Sequence, residues 1–292
     1  MHDKKSENIA VLGTGLMGSS MAKALLKAGY AIKVWNRTLS KCAPLEDLGA
    51  TICSSADAAI ATSEIILLVI SDYDSSAALL EEAELDGKTI VQVATGSVED
   101  TVALEKLCAA RGASGYIDVK VLAYSSEIGT PSSLLLASGR REVFAQLETL
   151  FQTFGNCRFA GENISAATTV MFAWTVHFQV ALAGVLEAIS TARALGVDPR
   201  IVFEIAPVLA SDVGGILARC EEASSHRGPP PAGRSGTVSD YLVGTDLILG
   251  STEKAGLKLP VLNAVRSKFG QWADQGFGYA DIEAAFQASR AE

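Results

Sequence analysis

The sequence predicts an α/β N-terminal domain on a mostly parallel sheet, joined by one long helix to an all-α C-terminal domain. Three observations carry this. A short apolar run at 8–12 leads straight into the glycine-rich turn Gly13–Gly18 and then into an amphipathic stretch reaching about Ala28. Further near-continuous apolar runs recur up to about residue 160, as expected of strands buried on both faces of a parallel sheet. Beyond them, the stretch from Ile164 to Leu186 contains no Asp, Glu, Lys, Arg or Pro. A helix apolar on every face must be buried on every face.

The 292 residues, 49 % of them hydrophobic, give room for two domains, expected at 1–160 and 161–292. A net charge of −9 argues against nucleic acid and against an anionic membrane surface as partners. The five cysteines are scattered, with no CxxC and no Cys/His spacing, so no metal site is expected. The polar start MHDKKSEN runs directly into a strand and lacks a signal-peptide pattern, so a cytoplasmic protein is expected.

In chain order, the first strand, glycine turn and helix form the context in which GxGxxG binds a dinucleotide, the Rossmann arrangement. Gly13 allows the tight turn, Gly15 lets a pyrophosphate approach the backbone, and Gly18 lets the helix pack closely. Gly13, Thr14, Gly15, Leu16, Met17 and Gly18 are therefore the candidate phosphate-holding residues, helped by the N–H groups of the helix start. The second strand, 31–35, ends at Asn36-Arg37-Thr38, with Lys41 following. An NAD site would place a carboxylate here for the ribose hydroxyls, whereas positive charge and donors suit a 2′-phosphate. NADP(H) is the expected cofactor, held also by Asn36, Arg37, Thr38 and Lys41.

Strands are predicted over 65–70, 89–93 and 116–121, followed by 133–137 and 157–159 with a helix near 140–153 between the last two. Ligands of such sheets sit at the C-terminal strand ends. Those ends carry Ile70-Ser71, Thr95 and Leu122-Ala123-Tyr124. Ile70, Ser71 and Thr95 are candidate cofactor contacts, and Thr95 and Leu122 are candidate pocket residues.

The long helix is predicted over 163–195, roughly 50 Å. Gly196 just past its last turn and Pro199 shortly after are stop signals. Its apolar core is long enough to span a bilayer. His177, Gln179, several hydroxyls, the continuation into Glu187 and Arg193, and the lack of flanking Lys/Arg clusters argue against a span. A helix buried in protein, at the core of a dimer, is the better reading. Further helices are predicted near 201–209, 213–224, 238–251, 261–274 and 281–289. Between the second and third of these, 224–236 reads as an exposed Pro/Gly connector.

The stretches VLGTGLMGSSMAKALLKAGY (11–30), VWNRT (34–38), YIDVKVLAYSSEIGTPSSLLLASG (116–139) and ARALGVDP (192–199) together resemble the β-hydroxyacid dehydrogenase superfamily. The AYSSEIGTP core is similar to that of its imine reductase branch. The resemblance covers nearly the whole chain. It implies a Rossmann domain, an interdomain helix and a C-terminal helical bundle exchanged between the two subunits of a homodimer, with a small-molecule imine as substrate. Hydroxyacid members carry a Lys and, one turn on, an Asn on the long helix; here those positions fall on Met171 and Thr175. The Ser-Gly-Gly substrate motif of those members is replaced by Leu122-Ala123-Tyr124. Imine reductases usually place Asp or Tyr where this chain has Met171, which cannot handle a proton.

Helical spacing puts Trp174, Thr175, Phe178 and Gln179 on the face of Met171, a candidate substrate wall. His177 lies roughly 120° away and reads as a buried, satisfied histidine. Tyr124, at a strand end inside the imine reductase motif, is the first candidate for a substrate contact. The resemblance adds Tyr241, with Asp240 and Asp246 as nearby acids. The function expected is NADPH-dependent hydride transfer to a C=N bond, giving a secondary or cyclic amine. The alternatives are an NADP-dependent β-hydroxyacid or carbonyl oxidoreductase and a non-catalytic NADP(H)-binding homologue.

Overall fold

A computed structural model describes residues 5–210, 218, 220–221 and 236–285. The chain divides into two compact units, Met1–Thr175 and Val176–Glu292. In the first, one sheet runs in the order β3-β2-β1-β4-β5-β6-β7-β8. Its strands are β1 Lys5–Leu12, β2 Tyr30–Trp35, β3 Thr51–Ile52, β4 Ile65–Leu68, β5 Thr89–Gln92, β6 Gly115–Val121, β7 Leu134–Gly139 and β8 Asn156–Gly161. The pairings from β3 to β6 are parallel, as the apolar runs predict. β6 and β7 pair antiparallel: the chain returns through the short connection 122–133 with no crossover helix.

Strand alternation divides the apolar residues of β1 between two cores. Ile9 and Val11 face Met21 and Leu25 of α1 (Leu16–Lys27), and Ala10 and Leu12 face the opposite layer with Ile60, Leu80 and Leu104. Those three belong to or end α3 (Ala56–Ala61), α4 (Tyr73–Leu80) and α5 (Val98–Ala110). Burying each such Leu or Ile contributes about 1.5–3 kcal/mol. A short helix α2 (Ala43–Glu46) follows β2, and α6 (Arg141–Gln152) connects β7 to β8.

Side chains cap three of these helices: Ser55 accepts from the Ala58 N–H, Asp72 from Ser75, and Ser97 from Asp100. Ser97 and Asp100 form a reciprocal capping box at the head of α5. The order of strands reverses at β1, with β2 on one side and β4 on the other, which opens a crevice at their C-terminal ends.

The long helix α7 spans Ala166–Ala194. It ends as the sequence predicts: Gly196 takes φ +79°, and the Val197 N–H reaches back to the Ala192 carbonyl at 2.8 Å. By length and composition α7 could cross a membrane. In the single chain many of its large side chains are uncovered, among them Phe172, Val176, Val180 and Leu186.

The second unit adds α8 (Arg200–Ala210), α9 (Val238–Lys254), α10 (Pro260–Trp272) and the short α11 (Ile282–Ala285). Within it, the Glu187 carboxylate accepts the Val261 and Leu262 N–H groups at 2.7 and 3.0 Å, capping α10 from the side of α7. Most of the predicted helix over 213–224, most of the 224–236 stretch and the end of the helix predicted over 281–289 lie outside the described residues.

The Asp100 carboxyl is held below its ordinary value of 3.8, first by the Ser97 N–H and then by the Ser97 hydroxyl. A lowered native pKa means the carboxylate's stabilisation is complete above the ordinary value and is lost as pH falls through the native one. Asp100→Asn is expected to flatten the acid limb of stability against pH, measured by thermal unfolding. A limb as steep as that of the wild type would contradict the capping role.

Candidate functional site

The crevice holds two cavities. The first, of about 420 Å³, is lined by Gly13 and Gly15, by Asn36, Arg37, Thr38 and Lys41 after β2, and by Ile70 and Ser71 after β4. The second, of about 400 Å³, is lined by Gly15–Gly18, by Ile70 and Ser71, by Ala94 and Thr95 after β5, by Lys120 at the end of β6, and by Met171. Gly15, Ile70 and Ser71 border both. The sequence candidates for phosphate holding thus gather along one channel over the switch point, with Thr95 and Met171 at one end and Arg37, Thr38 and Lys41 at the other.

The three glycines do different things. A Cβ on Gly13 would collide with the Val69 carbonyl, and one on Gly18 with the Gly13 carbonyl. These two glycines let β1, α1 and β4 come together. At Gly15 nothing stands within 4 Å of where a Cβ would be, so the backbone there faces open space. Gly15 is also the N-cap of α1, which has no side-chain cap and no acid in its first turn. Its first N–H groups therefore remain available to an anion, unlike those of α3, α4 and α5.

Asn36 has a role the sequence did not disclose: its Oδ1 accepts the Thr14 N–H at 3.1 Å and its Nδ2 donates to the Thr38 carbonyl. It ties the glycine turn to the end of β2. Asp72 beside Ser71 is held below the usual carboxylate range, first by the Ser71 hydroxyl and then by the Ser75 N–H, with a smaller pull from the Arg37 charge. These residues fit a nicotinamide dinucleotide: open backbone and uncapped helix for the pyrophosphate, and cations beyond β2 for a further phosphate.

The remaining candidates fall elsewhere. Tyr124 is 74 % exposed, and neither it nor Leu122 lines either cavity. Its backbone N–H is held by the Glu127 carboxylate at 2.7 Å. On α7, Trp174 and Phe178 are 49 % and 48 % exposed, Thr175 is half-buried and Gln179 exposed. His177, read as a buried histidine, is instead exposed in the single chain.

In the second unit, Tyr241 packs edge-on against Phe269, with ring centroids 6.1 Å apart. The two acids considered beside it are engaged. Asp240 accepts from the Thr237 N–H and hydroxyl in the capping box of α9, and Asp246 pairs with Arg266 at 2.6 Å. That unit has its own apolar cavity of about 580 Å³, lined by Val180, Gly184, Ala188, Ile248 and Val265 among others, with Glu187 at its edge.

Lys120 is the residue the sequence reading missed. The signal was a lysine inside the apolar run 116–121, two positions after an aspartate and therefore on the same face of the strand.

Comparison with known proteins agrees with this geometry. Residues 8–161 match the model of the NAD binding domain of 6-phosphogluconate dehydrogenase. The fold is similar to an imine reductase from Myxococcus stipitatus in complex with NADP+ (28 % identity, TM-score 0.86, 96 % of this chain and 99 % of that one). It is similar also to a reductive aminase from Aspergillus terreus in complex with NADPH and ethyl levulinate (25 % identity, TM-score 0.87, 97 % and 99 %). By sequence, glyoxylate/succinic semialdehyde reductase 2 of Arabidopsis thaliana is 26 % identical over 68 % of this chain and 57 % of that protein. The cytokine-like nuclear factor N-PAC of Drosophila melanogaster is 24 % identical over 97 % of this chain, which spans 48 % of that relative's length.

Gly15 separates folding from binding. Its φ of −68° and ψ of −168° suit any residue, and its Cβ position is open. Gly15→Val is expected to unfold at the wild-type temperature while its dinucleotide Kd rises more than about tenfold, a loss of about 1.4 kcal/mol. An unchanged Kd by calorimetry would show that no phosphate lies there.

Proposed function

Because the chain belongs to the family of the NAD binding domain of 6-phosphogluconate dehydrogenase, we propose that it is an NADPH-dependent reductase delivering hydride to a C=N bond of a cyclic imine or iminium. Residues 1–160 are the cofactor domain and 161–292 the substrate and dimerisation domain. The observation that carries the reading is Met171. It lines the cavity, the resemblance puts it at the position where hydroxyacid members carry a lysine, and its thioether neither gives nor takes a proton. Oxidising an alcohol needs a base at that point. An iminium already protonated in solution needs no acid before reduction.

Bound NADPH supplies the hydride. The chain contributes position and exclusion of water. Gly13, Gly15 and Gly18 with the head of α1 hold the pyrophosphate, and Arg37, Thr38 and Lys41 meet the 2′-phosphate with charge-assisted hydrogen bonds. Ile70, Val93, Val121 and Met171 give the second cavity an apolar lining that suits an organic imine. Tyr124, Trp174 and Thr175 are the further substrate-contact candidates of the first unit.

The enzyme works as a cytoplasmic homodimer with exchanged C-terminal helices. The uncovered apolar side chains of α7 and the apolar cavity of the second unit support this, since surfaces of that kind mark protein contacts. A second reading, carbonyl reduction with NADPH, is supported by the similarity to a glyoxylate/succinic semialdehyde reductase.

Purified protein with NADPH is expected to reduce at least one member of a panel of cyclic imines. NADPH is expected to be preferred over NADH by about tenfold or more, the value of one charge-assisted hydrogen bond. Absence of NADPH oxidation on the imines, together with turnover of the matching ketones or aldehydes, would overturn the C=N reading in favour of carbonyl reduction. Sedimentation should give twice the mass of one chain, and a monomer would contradict the exchanged dimer.

A further inference from the structure

The wall of the second cavity holds a charge that neither the glycine turn nor the long helix accounts for. β6 puts Asp118 and Lys120 on one face, and they are 0 % and 2 % exposed. The Lys120 ammonium donates to Asp118 Oδ1 at 3.0 Å, to the Tyr73 hydroxyl at 2.7 Å and to the Ala94 carbonyl at 2.7 Å. It has three N–H groups and all three are used, so none is left for a substrate. The Tyr73 hydroxyl donates to Asp118 Oδ1 and accepts from Thr101 at 3.3 Å. Thr168, in the first turn of α7, donates to Asp118 Oδ2 at 3.1 Å and lies 3.2 Å from the Thr101 hydroxyl. One lysine thereby joins α4, β6 and the segment that follows β5 directly, and α5 and α7 through its partners.

Stability does not explain this arrangement. Burial pushes the Lys120 ammonium down and the Asp118 carboxyl up, each opposed by the other's charge. Replacing such a pair by well-packed apolar residues is often neutral or stabilising. What the pair does that apolar side chains cannot is hold the Ala94 carbonyl, which lies beyond the last residue of β5. The next residue is Thr95, and Ala94, Thr95, Lys120 and Met171 line the same cavity. A dinucleotide laid across a switch point puts its adenosine end over β2, where Arg37 and Lys41 stand. Its nicotinamide end then falls over β4, β5 and β6, in this cavity.

We propose that Lys120 is a positioning residue for the nicotinamide end of the bound dinucleotide, acting through the Ala94 carbonyl and the adjoining Thr95. The role in hydride transfer rests on the reductase reading; the role in binding does not. Lys120→Met alone would leave Asp118 buried without its cation, so the variant to use is the pair Lys120→Met with Asp118→Asn. Asparagine keeps one acceptor oxygen, for Tyr73, and its amide nitrogen donates to the Thr168 hydroxyl in place of the second carboxylate oxygen. Two titrations on this folded variant decide the matter, one with NADPH and one with 2′-phospho-ADP-ribose, which lacks the nicotinamide.

The expected result is a Kd for NADPH raised about tenfold or more, with that for 2′-phospho-ADP-ribose within about twofold of wild type. Equal changes in both, or no change in either, would overturn the proposal. Should the pair not fold, Tyr73→Phe, which removes one of the three acceptors of Lys120, carries the same comparison with the same two outcomes. A failure of the reductase reading would show separately, as no turnover by the wild type while the difference between the two titrations persists.

Discussion

The close approach of three backbone segments at Gly13 and Gly18 is the constraint from which the site follows. Without a Cβ at either position, the end of β1 meets the Val69 carbonyl and the head of α1 meets the Gly13 carbonyl. Any side chain there would force α1 and β4 apart and close the crevice from below. Because the turn is tight, the head of α1 opens onto the switch point with no side-chain cap. Asn36 fixes the turn to β2 by taking the Thr14 N–H. The anion-binding geometry is therefore a consequence of packing, with the N–H groups left over once the turn has been made.

At the other end of the channel the organising force is electrostatic. Lys120 and Asp118 sit where apolar residues would pack as well, and the polar groups of α4, α5 and α7 converge on them. A satisfied buried network resists displacement, because moving any member strands another in a low dielectric. Apolar packing permits small slides, whereas a lysine with three fixed acceptors does not. The wall beside Thr95 thereby has a definite place, which suits a reaction in which donor and acceptor atoms must meet at short range.

Most of the fold, and the gathering of the glycine turn and the end of β2 along one crevice, were legible in the sequence, because they depend on local rules. Gly13–Gly18 between a strand and a helix, the missing acid after β2, and the Gly196 stop all act through residues close in the chain. What escaped depends on residues distant in the chain. Lys120 meets Tyr73 across 47 positions, and Thr168 meets Asp118 across 50. The spacing of β6 puts Asp118 and Lys120 on one face, but which partners from α4, α5 and α7 meet them there is not written in it. The antiparallel return of β7 was hidden because a buried strand reads alike in either direction. Asp240 looked available as an acid and proved to be half of a capping box with Thr237, three residues before it, while Asp246, which the resemblance already marked as more often structural, pairs with Arg266 twenty positions on.

Met171 is the residue on which the proposed chemistry turns. Among the described residues that line its cavity none is an acid, and the one charged side chain is a lysine whose protons are all engaged. The account is coherent if the electrophile brings its own proton, as an iminium does. Hydride delivery to the C=N carbon is tested directly by transfer of label from NADPH carrying deuterium at both nicotinamide C4 positions, with the product examined by NMR. The account predicts deuterium on the carbon bonded to nitrogen in the amine product. Unlabelled amine, or label found only in an alcohol formed from the corresponding carbonyl compound, would contradict it.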